Sequence, residues 1–347
     1  MPKPTPGMII FTNSRLAWRR SVSGAAVDHF PDFVYRKQGT SAIWIDQNLI
    51  GSELPGLLQN PDALFRRSDA EIIKDQRKIK VARLRLVLRG ETKYVYLKRY
   101  NVFSWQHSTI SFITRSPAFQ SLQGARILCE ADIATARPLV GTECRRWGAL
   151  KNSFFLSEEI SGGKSVGEYW RHLMISNNRE SRYRRRRLLQ GLALLFRKLH
   201  AENVYHNDLK DANILVVPGH DSQADSFFLV DLEEFRRYRQ LNRGRRVKNL
   251  VQLNRTFGRY LRLSDKLFFI KNYLADSFTD RRQARRWITA VIEQSQKKDR
   301  QTAPSRDPGT ARAGGKRLIQ GFGLFRDALS DSTFPSERLP RRGIGQL

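Results

Sequence analysis

From Lys80 the chain mixes apolar and basic residues in near-alternation. KVARLRLVLRG places Val81, Leu84, Leu86 and Leu88 in an imperfect period of two. A Gly-Glu-Thr turn follows, and then KYVYLKRY, rich in strand formers. The pair predicts a β-hairpin with Lys98 at the end of its second strand. A mixed helical stretch runs from about Ser116 to Glu130, and PLVG and KNSFFLSEEI supply further strands. Gly162 and Gly163 then break the chain at a hinge. Beyond them the period changes to that of a helix: in RYRRRRLLQGLALLFRKLHAENV, Leu188, Leu192, Leu195 and Leu199 share a face. Two short apolar runs, ILVV and FFLV, bracket the polar turn PGHDSQADS and predict a second hairpin, after which helices resume from Val247 to about Ser295.

The segments outside this pattern read differently. Residues 1–65 mix Gly, Pro and isolated aromatics without a sustained period, and are expected to form an N-terminal extension packed on the next domain through Trp18, Phe30, Phe33 and Trp44. Residues 296–347 are rich in Arg, Gly, Pro and Ser, which predicts a basic and largely disordered tail. Between them the pattern gives a strand-rich part over 66–162 and a mostly helical part over 163–295.

Composition narrows the class. A chain of 347 residues with 40% hydrophobic content suffices for a two-lobed domain plus extensions. Two cysteines, Cys129 and Cys144, neither build a disulfide scaffold nor suggest a zinc site. No stretch approaches the roughly 20 apolar residues of a membrane span, and the start shows no signal-peptide pattern. The expectation is a soluble, cytoplasmic chain. Lys plus Arg number 62 against 33 Asp plus Glu, a net charge of +29. Such an excess favours an anionic partner: nucleic acid, an acidic membrane surface or a phosphorylated substrate.

Directly after the Leu-rich helix comes Tyr205-His206-Asn207-Asp208-Leu209-Lys210-Asp211-Ala212-Asn213. This fits the H-x-D-L-x-x-x-N catalytic loop of protein kinases at every specified position. The spacing has a mechanical reason. An Asp accepts the proton of the acceptor hydroxyl, while an Asn five residues on turns back to hold magnesium at the nucleotide phosphates. Lys210 would lie beside the transferring phosphoryl group. Fourteen residues after Asn213 the apolar run FFLV begins, and it delivers Asp231 in VDLEEF, where a second metal ligand belongs. Lys98 stands in the place of the strand lysine that grips the phosphates. Each residue alone is commonplace; the ordered set is specific to phosphoryl transfer.

At these residues the sequence resembles the lipopolysaccharide core kinases (Kdo/WaaP and InaA-type) of the protein-kinase-like superfamily, over roughly residues 66–280. The carriers are YVYLKRY, ADIATARPLVG, FFLSEEISGG, LHAENVYHNDLKDANILV, VDLEEFRRYR and RRVKNLVQLNRTFGRYLRLSDKLFFIKNYL. The resemblance implies an α+β, two-lobed protein-kinase-like fold with a small β-rich N-lobe and a mostly helical C-lobe. It implies transfer of the γ-phosphoryl of ATP to a heptose or Kdo hydroxyl of the lipopolysaccharide inner core. Asp208 and Lys210 would then be catalytic, Asn213 and Asp231 would bind Mg2+, and Lys98, Glu158 and Ile160 would meet ATP. The expected place of work is the cytoplasmic face of the inner membrane, with peripheral membrane contact and no specific nucleic acid partner.

Three departures qualify the pattern. Residues 66–89 contain no glycine, so no G-x-G-x-x-G covers the phosphates. The helix SPAFQSLQGARIL has no acid before Glu130, which leaves Gln120, Gln123 or Glu130 to orient Lys98. The metal motif reads Asp231-Leu232-Glu233 rather than D-F-G, and no A-P-E follows, which argues against a protein kinase with a phosphorylated activation loop. Arg236, Arg237 and Arg239, just after Asp231, are expected to recognise an anionic acceptor, since guanidinium groups bind phosphate and carboxylate bidentately. Arg182 and Arg184 to Arg187 sit where a helix opens, either as a solvated turn or as a contact for phosphate. The rival readings are an atypical protein kinase and a pseudokinase-like basic binding module.

Overall fold

The computed structural model describes residues 30, 32–102, 115–147, 149–176, 178–219 and 223–302. The expected hairpin forms two long strands, β4 (Ile79–Leu88) and β5 (Glu91–Asn101), paired from Ile79↔Tyr100 to Leu88↔Glu91. They lie in a seven-stranded antiparallel sheet of order β1 (Phe33–Gln38), β2 (Ser41–Asp46), β6 (Pro138–Arg146), β7 (Ala149–Glu158), β5, β4 and β3 (Glu71–Asp75). Because successive side chains point to opposite faces, Val95 and Leu97 of β5 join Leu84, Leu86 and Leu156 in the core. Lys98 and its neighbour two residues on, Tyr100, do not share that face: Tyr100 Oη lies 3.2 Å from Ser121 Oγ of helix α2 (Pro117–Glu130).

Residues 33–65 differ from the expected extension. They supply β1, β2 and the short helix α1 (Leu54–Leu57), and Ile43, Ile45, Leu49 and Leu64 belong to the same core as the hairpin. The reason the pattern hid them is physical. In SAIWID the last four residues are all buried, so β2 has no polar face and no alternation to read. Phe30 and Trp44 do pack as aromatics, each meeting Phe119 of α2 edge-on at 5.4 and 5.3 Å. Trp18 lies outside the described residues.

The chain divides into two compact units. One holds the described residues up to Ile160 together with Asp231–Phe235; the other holds Ser161–Val230 and the described residues from Arg236 onward. The second unit is mostly helical. A capping box, Ser165 with Glu168, starts α3 (Val166–Ile175). Asn178 caps α4 (Arg179–Ala201), whose predicted apolar stripe is buried at Leu188, Leu192 and Leu199, with Leu189 and Phe196 beside it. Next come a short strand β8 (Val204–His206), the hairpin β9 (Ile214–Val217) and β10 (Ser226–Leu229), and the helices α5 (Arg243–Thr256), α6 (Leu263–Leu274) and α7 (Arg281–Thr302). Helix α7 carries the chain beyond Gln296 as regular structure; the rest of the predicted tail lies outside the described residues. Among the described helices, none is long and apolar enough to cross a membrane.

Candidate active site

In the second unit the H-x-D-L-x-x-x-N segment is a loop stitched to itself. His206, fully buried, accepts from the Asp208 N–H through Nδ1 (3.0 Å), which leaves Nε2 to donate to Val230 O (3.3 Å). Asn213 turns back so that its Nδ2 donates to Asp208 O (2.8 Å), and its own carbonyl accepts from the Val230 N–H (3.1 Å). The loop thus ties both Asp208 and Asn213 to the residue that precedes Asp231. The Asp208 carboxylate, about half exposed, is paired with the Lys210 ammonium. His206 has a positioning place here and no exposure to solvent.

A second set of bonds fixes the loop from outside, and the sequence reading missed it. Asn249, Gln252 and Thr256 lie at i, i+3 and i+7 on α5, hence on one face. Asn249 Nδ2 donates to His206 O (2.6 Å), Gln252 Nε2 donates to Asn207 O, Gln252 Oε1 accepts from the Leu209 N–H (3.2 Å), and Thr256 Oγ1 accepts from the Asp211 N–H (3.2 Å). Three polar side chains at helical spacing, one of them fully buried, were the available signal.

The chain of bonds extends inward. Tyr273 Oη on α6 donates to His200 Nδ1 (2.8 Å), and His200 Nε2 donates to Asn249 Oδ1 (3.3 Å). Burial, with the nearby positive Arg246 adding to it, pushes the His200 imidazole down to about 4. The folded protein therefore keeps it neutral where an unfolded chain, with an ordinary value near 6.5, takes up a proton. Its effect on stability is absent above pH 6.5 and grows more adverse as the pH falls towards 4. Chemical denaturation at pH 7.5 and pH 5 is expected to give a lower midpoint at pH 5. A His200→Gln variant should show a smaller difference; an equal difference would assign the acid sensitivity to other groups.

In the first unit, Lys98 meets two acids. Its Nζ lies 2.9 Å from Asp231 Oδ1 and 3.7 Å from Glu233 Oε2. Burial alone would lower the Lys98 pKa, but the Glu233 and Asp231 carboxylates outweigh it and leave the ammonium raised above the usual lysine value. Asp231 adopts the left-handed region (φ 66°, ψ 55°), which Asp tolerates better than most residues. The turn it opens, Leu232–Glu234, packs on α2. The contact is close because residue 124 is glycine: a Cβ there would stand 1.9 Å from Leu232 O. Ser121 Oγ of α2 donates to Glu233 Oε2 (3.4 Å).

The second acid at Lys98 therefore comes from the Asp231-Leu232-Glu233 segment itself and not from α2. Gln120 donates to Arg115 O (2.9 Å), and Glu130 pairs with Arg126 (2.9 Å). Glu233 was not foreseen because its sequence neighbour Asp231 already filled the expected role. Glu158 ends β7 opposite Val95, its side chain near Arg137 and Lys93 (both 3.7 Å), and Ile160 is half-buried two residues on. In the second unit, Arg237 lies 3.6 Å from Glu202, Arg236 is half-buried and Arg239 exposed.

The comparisons with known proteins bear on this arrangement. A solved structure described as "WaaP in complex with acyl carrier protein" superposes with a TM-score of 0.51 at 17% identity, covering 69% of this chain and 91% of that one. The likeness shows the same α+β fold, with a β-rich N-terminal part and a helical C-terminal part. No curated protein matches the sequence significantly. The model of the lipopolysaccharide kinase (Kdo/WaaP) family matches residues 77–283, more than half of the chain and the whole stretch from the hairpin to α7. The chain belongs to that family, whose members are phosphotransferases acting on sugar hydroxyls of lipopolysaccharide.

Proposed function

We propose that the protein transfers the γ-phosphoryl of ATP, with Mg2+, to a heptose or Kdo hydroxyl of the lipopolysaccharide inner core. The observation that carries the reading is the self-stitched loop. It holds one carboxylate, Asp208, beside one ammonium, Lys210, and ties Asn213 back to the same backbone. In this reading Asp208 accepts the proton of the sugar hydroxyl, and Lys210 offsets charge on the phosphoryl oxygens. Lys98 holds the nucleotide phosphates, and Glu158 and Ile160 border the nucleotide. Arg236, Arg237 and Arg239 receive the anionic acceptor.

The donor set suits magnesium. Asn213 uses its Nδ2 on Asp208 O, so the amide oxygen remains as a donor, and Asp231 adds a carboxylate. Hard oxygen ligands of this number fit an ion that completes its shell with substrate phosphates and water. The ion would neutralise charge on the phosphates during transfer. Glu233 explains how one lysine serves a site whose carboxylate also binds metal: Asp231 turns to the metal while Glu233 keeps Lys98 in place. The family's lipid-linked acceptor and the net charge of +29 support peripheral contact with the cytoplasmic face of the inner membrane.

The test is incubation of the full chain with ATP, Mg2+ and defined core glycolipids ending in heptose or in Kdo, with a casein arm, and mass spectrometry of products. A mass gain of one phosphate on a glycolipid supports the reading and chooses the sugar. Transfer to casein alone overturns it. A separate expectation concerns Glu233. Glu233→Gln should raise the KM for ATP by roughly tenfold with a smaller change in kcat, as expected when a charge partner of a binding lysine is lost. Glu233→Asp should recover part of the loss. An unchanged KM would remove Glu233 from the site.

A further inference from the structure

The arginines at 182, 185 and 186 have no place in the chemistry above, yet they are not scattered. Arg182, Arg185, Arg186 and Leu189 lie at helical spacing along one stripe of α4. That stripe faces the start of α6, and the two helices pack together. Between them is an open cleft of about 500 Å³, bordered also by Trp170 and Met174 of α3. Arg262 and Lys271 complete the ring of cations. The one acid in the lining, Asp265, accepts from the Arg262 N–H (3.1 Å) and so caps α6.

The floor of the cleft is apolar. Trp170 and Leu189 are buried there, and the Phe268 ring lies 4.4 Å beneath the Arg186 guanidinium. The Trp170 indole N–H has no hydrogen-bond partner among the described residues. Beside the mouth, α3 ends with Met174 and Ile175, and Ile175 is 81% exposed. Clustered cations over an apolar floor, with exposed aliphatic side chains at the rim, form the pattern of a surface that meets anionic lipid. A solvated helix face needs the charges and not the floor.

We propose that this cleft binds a single anionic phospholipid of the membrane, its phosphate among Arg182, Arg185, Arg186 and Lys271 and its upper acyl chain against Phe268 and Leu189. Ile175 then dips into the bilayer beside it. The proposal rests on the reading that the enzyme works at a membrane, and gives that contact an address in the second unit.

The experiment is sedimentation of the full chain with vesicles of phosphatidylcholine alone or with added phosphatidylglycerol. Three proteins are compared: the native chain, an Arg185→Gln/Arg186→Gln/Lys271→Gln variant, and an Arg281→Gln/Arg282→Gln/Arg285→Gln control on α7. Both variants remove three charges. The native chain and the control are expected to bind the anionic vesicles alike, and the cleft variant roughly 100-fold more weakly, since each basic residue removed leaves about a fifth of the affinity. Equal losses in both variants would mean general attraction by the net charge and would overturn the cleft. So would a cleft variant that binds like the native chain. If the native chain binds neither vesicle, the membrane reading itself has failed. Ile175→Ser tests the rim without touching charge: weaker binding to anionic vesicles supports its insertion beside the cleft, and unchanged binding overturns that insertion.

Discussion

Asp208→Asn is expected to lower turnover by about 10²–10⁴-fold while MgATP still binds, the loss typical of a removed general base. The structure makes this a clean substitution. Asp208 is held through its backbone, its N–H on the His206 ring and its carbonyl on Asn213 Nδ2, so the loop does not depend on the carboxylate. The side chain is about half exposed, and asparagine offers Lys210 an oxygen in the same position. What changes is the ability to take a proton. Single-turnover kinetics with a glycolipid acceptor, beside nucleotide titration, separates chemistry from binding. Turnover within a few-fold of the native enzyme would remove Asp208 from the role. Loss of nucleotide binding in parallel would mean that the loop itself had moved.

The second large effect is expected at a residue with no chemistry. Gly124→Ala should destabilise the protein by about 1–3 kcal/mol, the range for forcing a group into a filled space. On propensity alone it should do the opposite, since alanine in a helix interior is favoured over glycine by about 1 kcal/mol. The new methyl would meet the backbone oxygen of Leu232 at 1.9 Å, where no flexible side chain can swing aside. Relief requires the turn Leu232–Glu234 to leave α2, and that turn follows Asp231 and contains Glu233. Activity should therefore fall further than the loss of folded protein explains, with the ATP KM rising. Gly56→Ala, where a Cβ meets nothing within 4 Å, is the control and should be near neutral. If Gly124→Ala melts and turns over like the native chain, the close approach of α2 to the turn is not what holds Glu233.

These two residues mark what could be read from sequence. The loop around Asp208 was legible as a motif because its members are close in sequence: His206, Asp208, Lys210 and Asn213 stand at fixed short spacings. The helix α4 and both hairpins were legible because one face of each is buried, so the period shows. Gly124 and Glu233 were not. Each acts across more than a hundred residues of sequence, and a glycine inside a helix or a second acid two residues after Asp231 carries no local mark of its partner. Asn249, Gln252 and Thr256 fall between these cases. Their spacing was visible, but α5 has polar residues on other faces too, and only the fold shows that this stripe holds Asn207, Leu209 and Asp211. Strand β2 was lost for the opposite reason, being buried on both sides.

Among the described residues the seven-stranded sheet does not close on itself, and β1 and β3 form its two rims. Strand β3 forms one of them: all five residues of Glu71–Asp75 are exposed, Ile72 and Ile73 included. A row of free backbone groups with two bare isoleucines is a template on which a second copy could add strands without limit. Two features spoil the template. The register of β3 slips between Ile72 and Lys74, which interrupts the regular spacing a partner strand would need. Charge does the rest, since Glu71, Lys74 and Asp75 flank the isoleucines and the molecule as a whole repels its own kind. Only the first of these guards is indifferent to salt. Concentrated stocks of this protein should thus owe their clarity partly to low ionic strength, with turbidity growing from the β3 rim as the Debye length shrinks below the size of the patch.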